Sequence, residues 1–169
     1  MASKVAFVKQ ETNWFALFPR LLALGILCLC FYPLDKQSFF FFAIFIYFLL
    51  TLLEKWLFFP NVMYEGIKLI REAKFEEAIP VVQQTIDYYL KRPWVDKYRF
   101  WLLISSSKRS ITESSTCNLA YCYLQIGQVK RSKEIYETVL LQYPENINAK
   151  SMLNTINIAS KDAGYNTTN

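Results

Sequence analysis

Serines at positions 105, 106, 107, 110, 114 and 115 crowd one short stretch of this 169-residue chain, and such a cluster is the first place to seek a nucleophile. No base accompanies them. Histidine is absent, which removes the commonest general base and the commonest metal ligand. No G-x-S-x-G elbow occurs, and four glycines leave no phosphate-cradling loop. The adjacent acids Glu76 and Glu77 read as a solvated helix start rather than an acid-base pair. Cys28 and Cys30 fall in an apolar stretch, and Cys117 and Cys122 lie on one expected helix in poor register for a disulfide or shared metal ligation, so all four read as small apolar residues. An Asn166-Thr167-Thr168 triplet would be a glycan acceptor only in a lumenal tail. No catalytic residue, cofactor or metal is therefore expected, and the chain is not expected to be an enzyme.

The elements that would position any site divide the chain. Trp14 to Pro33 and Phe39 to Pro60 are apolar, each near the ~20 residues that a bilayer-crossing helix needs. The second reads FFFFAIFIYFLLTLL before Glu54, Lys55 and Trp56, whereas Pro19 and Arg20 interrupt the first. Two buried core helices would need more surrounding protein than the remainder supplies. A cleaved leader would need a small-residue cleavage site that Tyr32-Pro33-Leu34-Asp35 does not provide. The expectation is two transmembrane helices, about 14–34 and 38–59, after an N-terminal segment 1–13. Lys4, Lys9 and Arg20 before the pair, and Lys55, Lys68, Arg71 and Lys74 after it, outnumber Lys36 in the connecting loop. By the positive-inside tendency this predicts a two-pass integral membrane protein with both termini and the following domain cytoplasmic. The net charge of +5 is too small, and too little interleaved with aromatics, to argue for nucleic acid; a lipid bilayer is the expected partner of the cations.

After Pro60 the apolar residues recur at helical spacing. One helix is expected from Asn61 to about Glu72. A second starts near Phe75, buries Ala78, Ile79, Val82, Ile86, Tyr89 and Leu90, carries Pro80 in its first turn, and ends at Lys91-Arg92-Pro93. A third opens on the capping box Ser110-Ile111-Thr112-Glu113 and stops at Gly127. A fourth covers Val129 to Gln142, with Pro144 beyond it, and a fifth runs from Ile147 to about Ala159. Residues 94–109 form an insertion whose apolar part, Tyr98 to Ile104, reads as a helix of one to three turns, and 161–169 as a flexible tail.

Glu113 to Asn146 spans 34 residues, and Leu119, Ala120, Tyr123, Gly127, Ser132, Tyr136, Val139 and Pro144 occupy the landmark positions of a tetratricopeptide repeat. Thr116 stands where tryptophan is usual and Ser132 where alanine is. The chain therefore resembles a tetratricopeptide repeat (TPR) protein. A divergent earlier copy, about Phe59 to Leu90, places Gly66 and Ala78 on small positions and turns at Ala73-Lys74 instead of glycine. The resemblance implies an all-α fold in which a short α-α superhelix, about two repeats plus a capping helix over 61–160, follows the transmembrane hairpin.

It also implies a module that binds a protein or peptide partner in the repeat groove, with Asn118, Tyr121 and Gln125 as contact residues, although Tyr121 reads equally as a packed aromatic. The carboxylate-clamp mode of some family members is not expected, because Met63 and Ile67 are apolar and the capping helix offers Asn148 and Met152. The expected role is a membrane-anchored interaction module that tethers or scaffolds its partner. The alternative is an accessory subunit of a multi-helix membrane complex such as a transporter. Two repeats leave open faces that the insertion, the membrane, a second copy of the chain or another protein would cover.

Overall fold

The computed structural model describes residues 17–33, 36–58, 60–99, 107 and 109–166. Among them the fold is all-α: α1 (Leu17–Phe31), α2 (Phe39–Phe58), α3 (Asn61–Arg71), α4 (Phe75–Leu90), α5 (Pro93–Lys97), α6 (Ile111–Gln125), α7 (Val129–Gln142) and α8 (Ile147–Asn166). The N-terminal segment and most of the insertion's apolar core lie outside the described residues. The helices group into two compact units.

In one unit, α3, α4, α6, α7 and α8 pack each on the next, as in a helical repeat. A first core layer joins α3, α4 and α6 through Ile70, Ala78, Val82, Ile86, Leu119 and Tyr123; a second joins α6, α7 and α8 through Cys117, Ala120, Tyr136, Val139, Ala149 and Ile156. Small residues set the spacing within each pair. A Cβ at Gly66 of α3 would meet Val82 Cγ2 at 3.2 Å, so α3 and α4 approach closely enough that a side chain there would require the Val82 side chain to give way. On α7, Ser132 is fully buried and its hydroxyl donates to the Ala120 carbonyl at 2.7 Å. The serine is accommodated at this buried position because its one polar atom finds an acceptor.

The turns ending α3 and α6 have the same construction. After α3, the Ala73 amide donates to Ile70 O at 3.1 Å and the Lys74 amide to Leu69 O at 2.9 Å; after α6, Gly127 donates to Leu124 O at 3.1 Å and Gln128 to Tyr123 O at 2.9 Å. Both are Schellman caps, with the required positive φ supplied by Ala73 (58°) and Gly127 (80°). The following helices, α4 and α7, start without a side-chain cap.

One placement and one boundary differ from the sequence reading. Helix α4 starts at Phe75 as expected, but Pro80 is its sixth residue, past the first turn, so the helix runs through a position that has no amide hydrogen for the Glu76 carbonyl. Helix α8 continues past Ala159 to Asn166, since nothing between carries a breaker stronger than Gly164.

In the other unit, α1 and α2 form a hairpin, with Phe31 stacked on Phe42 at 6.4 Å and Tyr32 edge-on to Phe39 at 5.5 Å beside the connection. Short α5 opens on Pro93, and past its end the Arg99 guanidinium donates to Asp96 O at 2.8 Å. The two-pass membrane placement, with its cytoplasmic termini and cytoplasmic domain, does not hold. Among the described residues no helix is long and apolar enough to cross a membrane. Helix α1 has 15 residues, about 22 Å at 1.5 Å each, against ~30 Å of hydrocarbon. Helix α2 has 20, but Glu54 and Lys55 enter before its end and limit its uncharged run to a similar ~22 Å. The first stretch stops being helical at Phe31, before the Tyr32-Pro33 turn, and counting apolar residues through such interruptions overstated both spans.

Candidate functional site

The residues singled out for partner contact all lie on α6, at spacings of three and four that place them along one side of the helix. They differ in surroundings. Gln125 is exposed and Asn118 half-buried. Tyr121 is drawn into the first core layer, where its ring meets Phe75 edge-on at 5.8 Å, and burial pushes its phenol above the usual value. Asn118 and Gln125 are therefore the amides left at the surface of this stripe, with Ser114, also half-buried, one turn before Asn118. Such a stripe is uncharged but rich in donors and acceptors, which suits the backbone of an extended peptide.

On α3, Met63 is half-buried and its sulfur receives the Tyr89 hydroxyl at 3.9 Å, while Ile67 is half-buried and Tyr64 exposed. On α8, Met152 packs against the second core layer, and the Asn148 side-chain nitrogen is buried without a hydrogen-bond partner. First helices thus present an apolar-aromatic surface at one end and amides toward the other.

A buried polar joint braces α6 against α8, and the sequence reading did not find it. The Asn146 amide donates to Glu113 Oε1 at 2.7 Å and lies 3.4 Å from Cys117 Sγ, while its carbonyl oxygen accepts the Ala149 amide at 2.9 Å. Asn146 is both the N-cap of α8 and a link back to the first turn of α6. The available signal was an Asn-Ile-Asn-Ala helix start one repeat length after Glu113.

At the α6–α7 turn, Gly127, Gln128, Val129, Lys130, Arg131 and Glu134 line an open concavity of ≈ 560 Å³. Arg131 is not free to serve it fully, since its guanidinium sits 4.4 Å over the Tyr123 ring. Among the described residues no trio of Cys, Asp, Glu or His gathers in metal-binding geometry. Burial pushes the Cys122 thiol up to about 11, so it stays protonated and unreactive at neutral pH. Compared with known proteins, the chain matches no family model, no curated protein and no solved structure.

Proposed function

We propose that the five-helix unit is a tetratricopeptide-like module that binds an extended segment of a partner protein and so tethers or scaffolds it. The repeated helix–turn–helix supports this reading most: two helix pairs end their first helix in the same Schellman hydrogen bonds and position the next helix alike. A structure built by repetition presents its first helices side by side as a continuous surface. On that surface Asn118 and Gln125 reach peptide amides and carbonyls, and Tyr121 stiffens the stripe from beneath through Phe75.

The test is selection of peptides from a random display library on the full-length chain, followed by titration of the enriched sequences. The double variant Asn118→Ala/Gln125→Ala should weaken binding by tenfold or more with unchanged helical circular dichroism. Equal affinity in the double variant, or no enriched peptide, would remove the groove as the binding surface.

A further inference from the structure

We propose that the α1–α2 hairpin is a lipid-binding wedge, lying along the surface of an anionic bilayer within one leaflet rather than crossing it. This is independent of what the helical-repeat unit binds.

The hairpin exposes its largest apolar side chains outward: Phe18 (63 %), Leu21 (67 %) and Leu29 (76 %) on α1, and Phe41 (74 %), Phe45 (58 %) and Trp56 (80 %) on α2. The exposure is not a stripe. Phe40, Phe41 and Phe42 are consecutive and all at least half exposed, and at about 100° per residue they alone sweep roughly 200° of the helix circumference. A partner helix or a second copy covers an arc of about 100° on one side. Lipid tails adapt to any contour, so they are the occupant that matches an apolar surface wrapped around two helices.

The polar ends fix the orientation. At the turn Lys36 and Gln37 are exposed; at the other end stand Arg20 on α1 and, in sequence, Glu54 and Lys55 on α2. Each end also carries an exposed amphipathic aromatic, Tyr32 (50 %) at the turn and Trp56 opposite, the residue types that settle at headgroup level. Two headgroup-seeking ends about 25 Å apart along α2, from Phe39 to Trp56, fall short of opposite faces of a ~30 Å core. They reach the same face when the long axis lies along it. In sequence Asp35 neighbours Lys36 and Glu54 neighbours Lys55, so the hairpin's net positive charge is that of Arg20; together with the chain's +5 it favours anionic headgroups.

The full-length chain, added from detergent to preformed vesicles of phosphatidylglycerol and phosphatidylcholine, should float with them and bind pure phosphatidylcholine several-fold less. Phe41→Asp/Phe45→Asp should lower partitioning tenfold or more, and Lys36→Glu should lower it several-fold, each with unchanged helix content. With Cys28 and Cys30 replaced by serine, Lys36→Cys should react with an impermeant maleimide added outside intact vesicles. Failure to float, or undiminished partitioning of the Asp variant, would overturn the proposal. Protection of Lys36→Cys until the vesicles are lysed would mean crossing, and a stable protein assembly that leaves vesicles unbound would mean that protein covers the hairpin; either result also overturns it.

Discussion

Replacing Asn146 with alanine removes in one step the cap of α8 and the amide that meets the buried Glu113 carboxylate. The expected cost is about 2 to 4 kcal/mol, from roughly 1 for the cap and the remainder for a hydrogen bond to a charged group. Glu113→Gln keeps an acceptor for the same amide and should cost less; urea denaturation of both variants and the double variant measures the coupling. Buried acids of a different kind govern behaviour at high pH. Burial raises the Cys122 thiol to about 11 from an ordinary 9.0 and raises the Tyr136 phenol as well. In the unfolded chain these groups release their protons near their ordinary values, while the folded chain still holds them. The unfolded state then binds fewer protons, so their stability contribution is whole below pH 9 and is lost as pH climbs through the folded values. Denaturation midpoints between pH 7 and 11 should fall accordingly, and the fall should be shallower in Cys122→Ala.

At the scale of elements, the paired turns make opposite demands on their residues. Ala73 pays for a positive φ that Gly127 adopts freely. Ala73→Gly should therefore stabilise the chain by about 1 kcal/mol and Gly127→Ala destabilise it by a similar amount, both read from thermal or urea midpoints. Pro80 lies at an exposed position inside α4, and Pro80→Ala should restore a backbone hydrogen bond to Glu76 and add about 1 to 3 kcal/mol of stability. These elements were unevenly legible in the sequence. Val129 to Gln142 was readable to the residue, because helical spacing between Gly127 and Pro144 leaves little choice of boundary. Ala73 shows no sign of its backbone state, since alanine is common everywhere, whereas a start at Phe75 already puts Pro80 in the second turn, a position where proline is seldom expected. That Asn118, Tyr121 and Gln125 share one side of α6 was readable from their spacing. The sequence left Tyr121 equally open to a packed role, and the choice is settled by Phe75, whose place beside it no spacing shows. The Glu113–Asn146 joint was hidden for the same reason, joining residues a full repeat apart.

For the molecule as a whole, apolar composition alone misjudged the leading helices, because the length between polar interruptions, not the number of apolar residues, decides whether a helix can bridge a bilayer. The helical-repeat unit keeps its apolar residues in two layers shared by neighbouring helices. Truncating a residue of either layer should therefore act locally as well as globally. Val139→Ala, in the layer shared by α6, α7 and α8, should cost about 1 to 3 kcal/mol. In hydrogen exchange it should speed the amides of α7 and α8 more than those of α3, whose packing it leaves intact.

Neighbour-to-neighbour packing from α3 to α8 also shapes the response to force. Held by its two ends and stretched, such a row resembles a zipper rather than a clasp: strain falls on one pair of helices at a time, and the chain would give a gradual lengthening instead of a single sharp release.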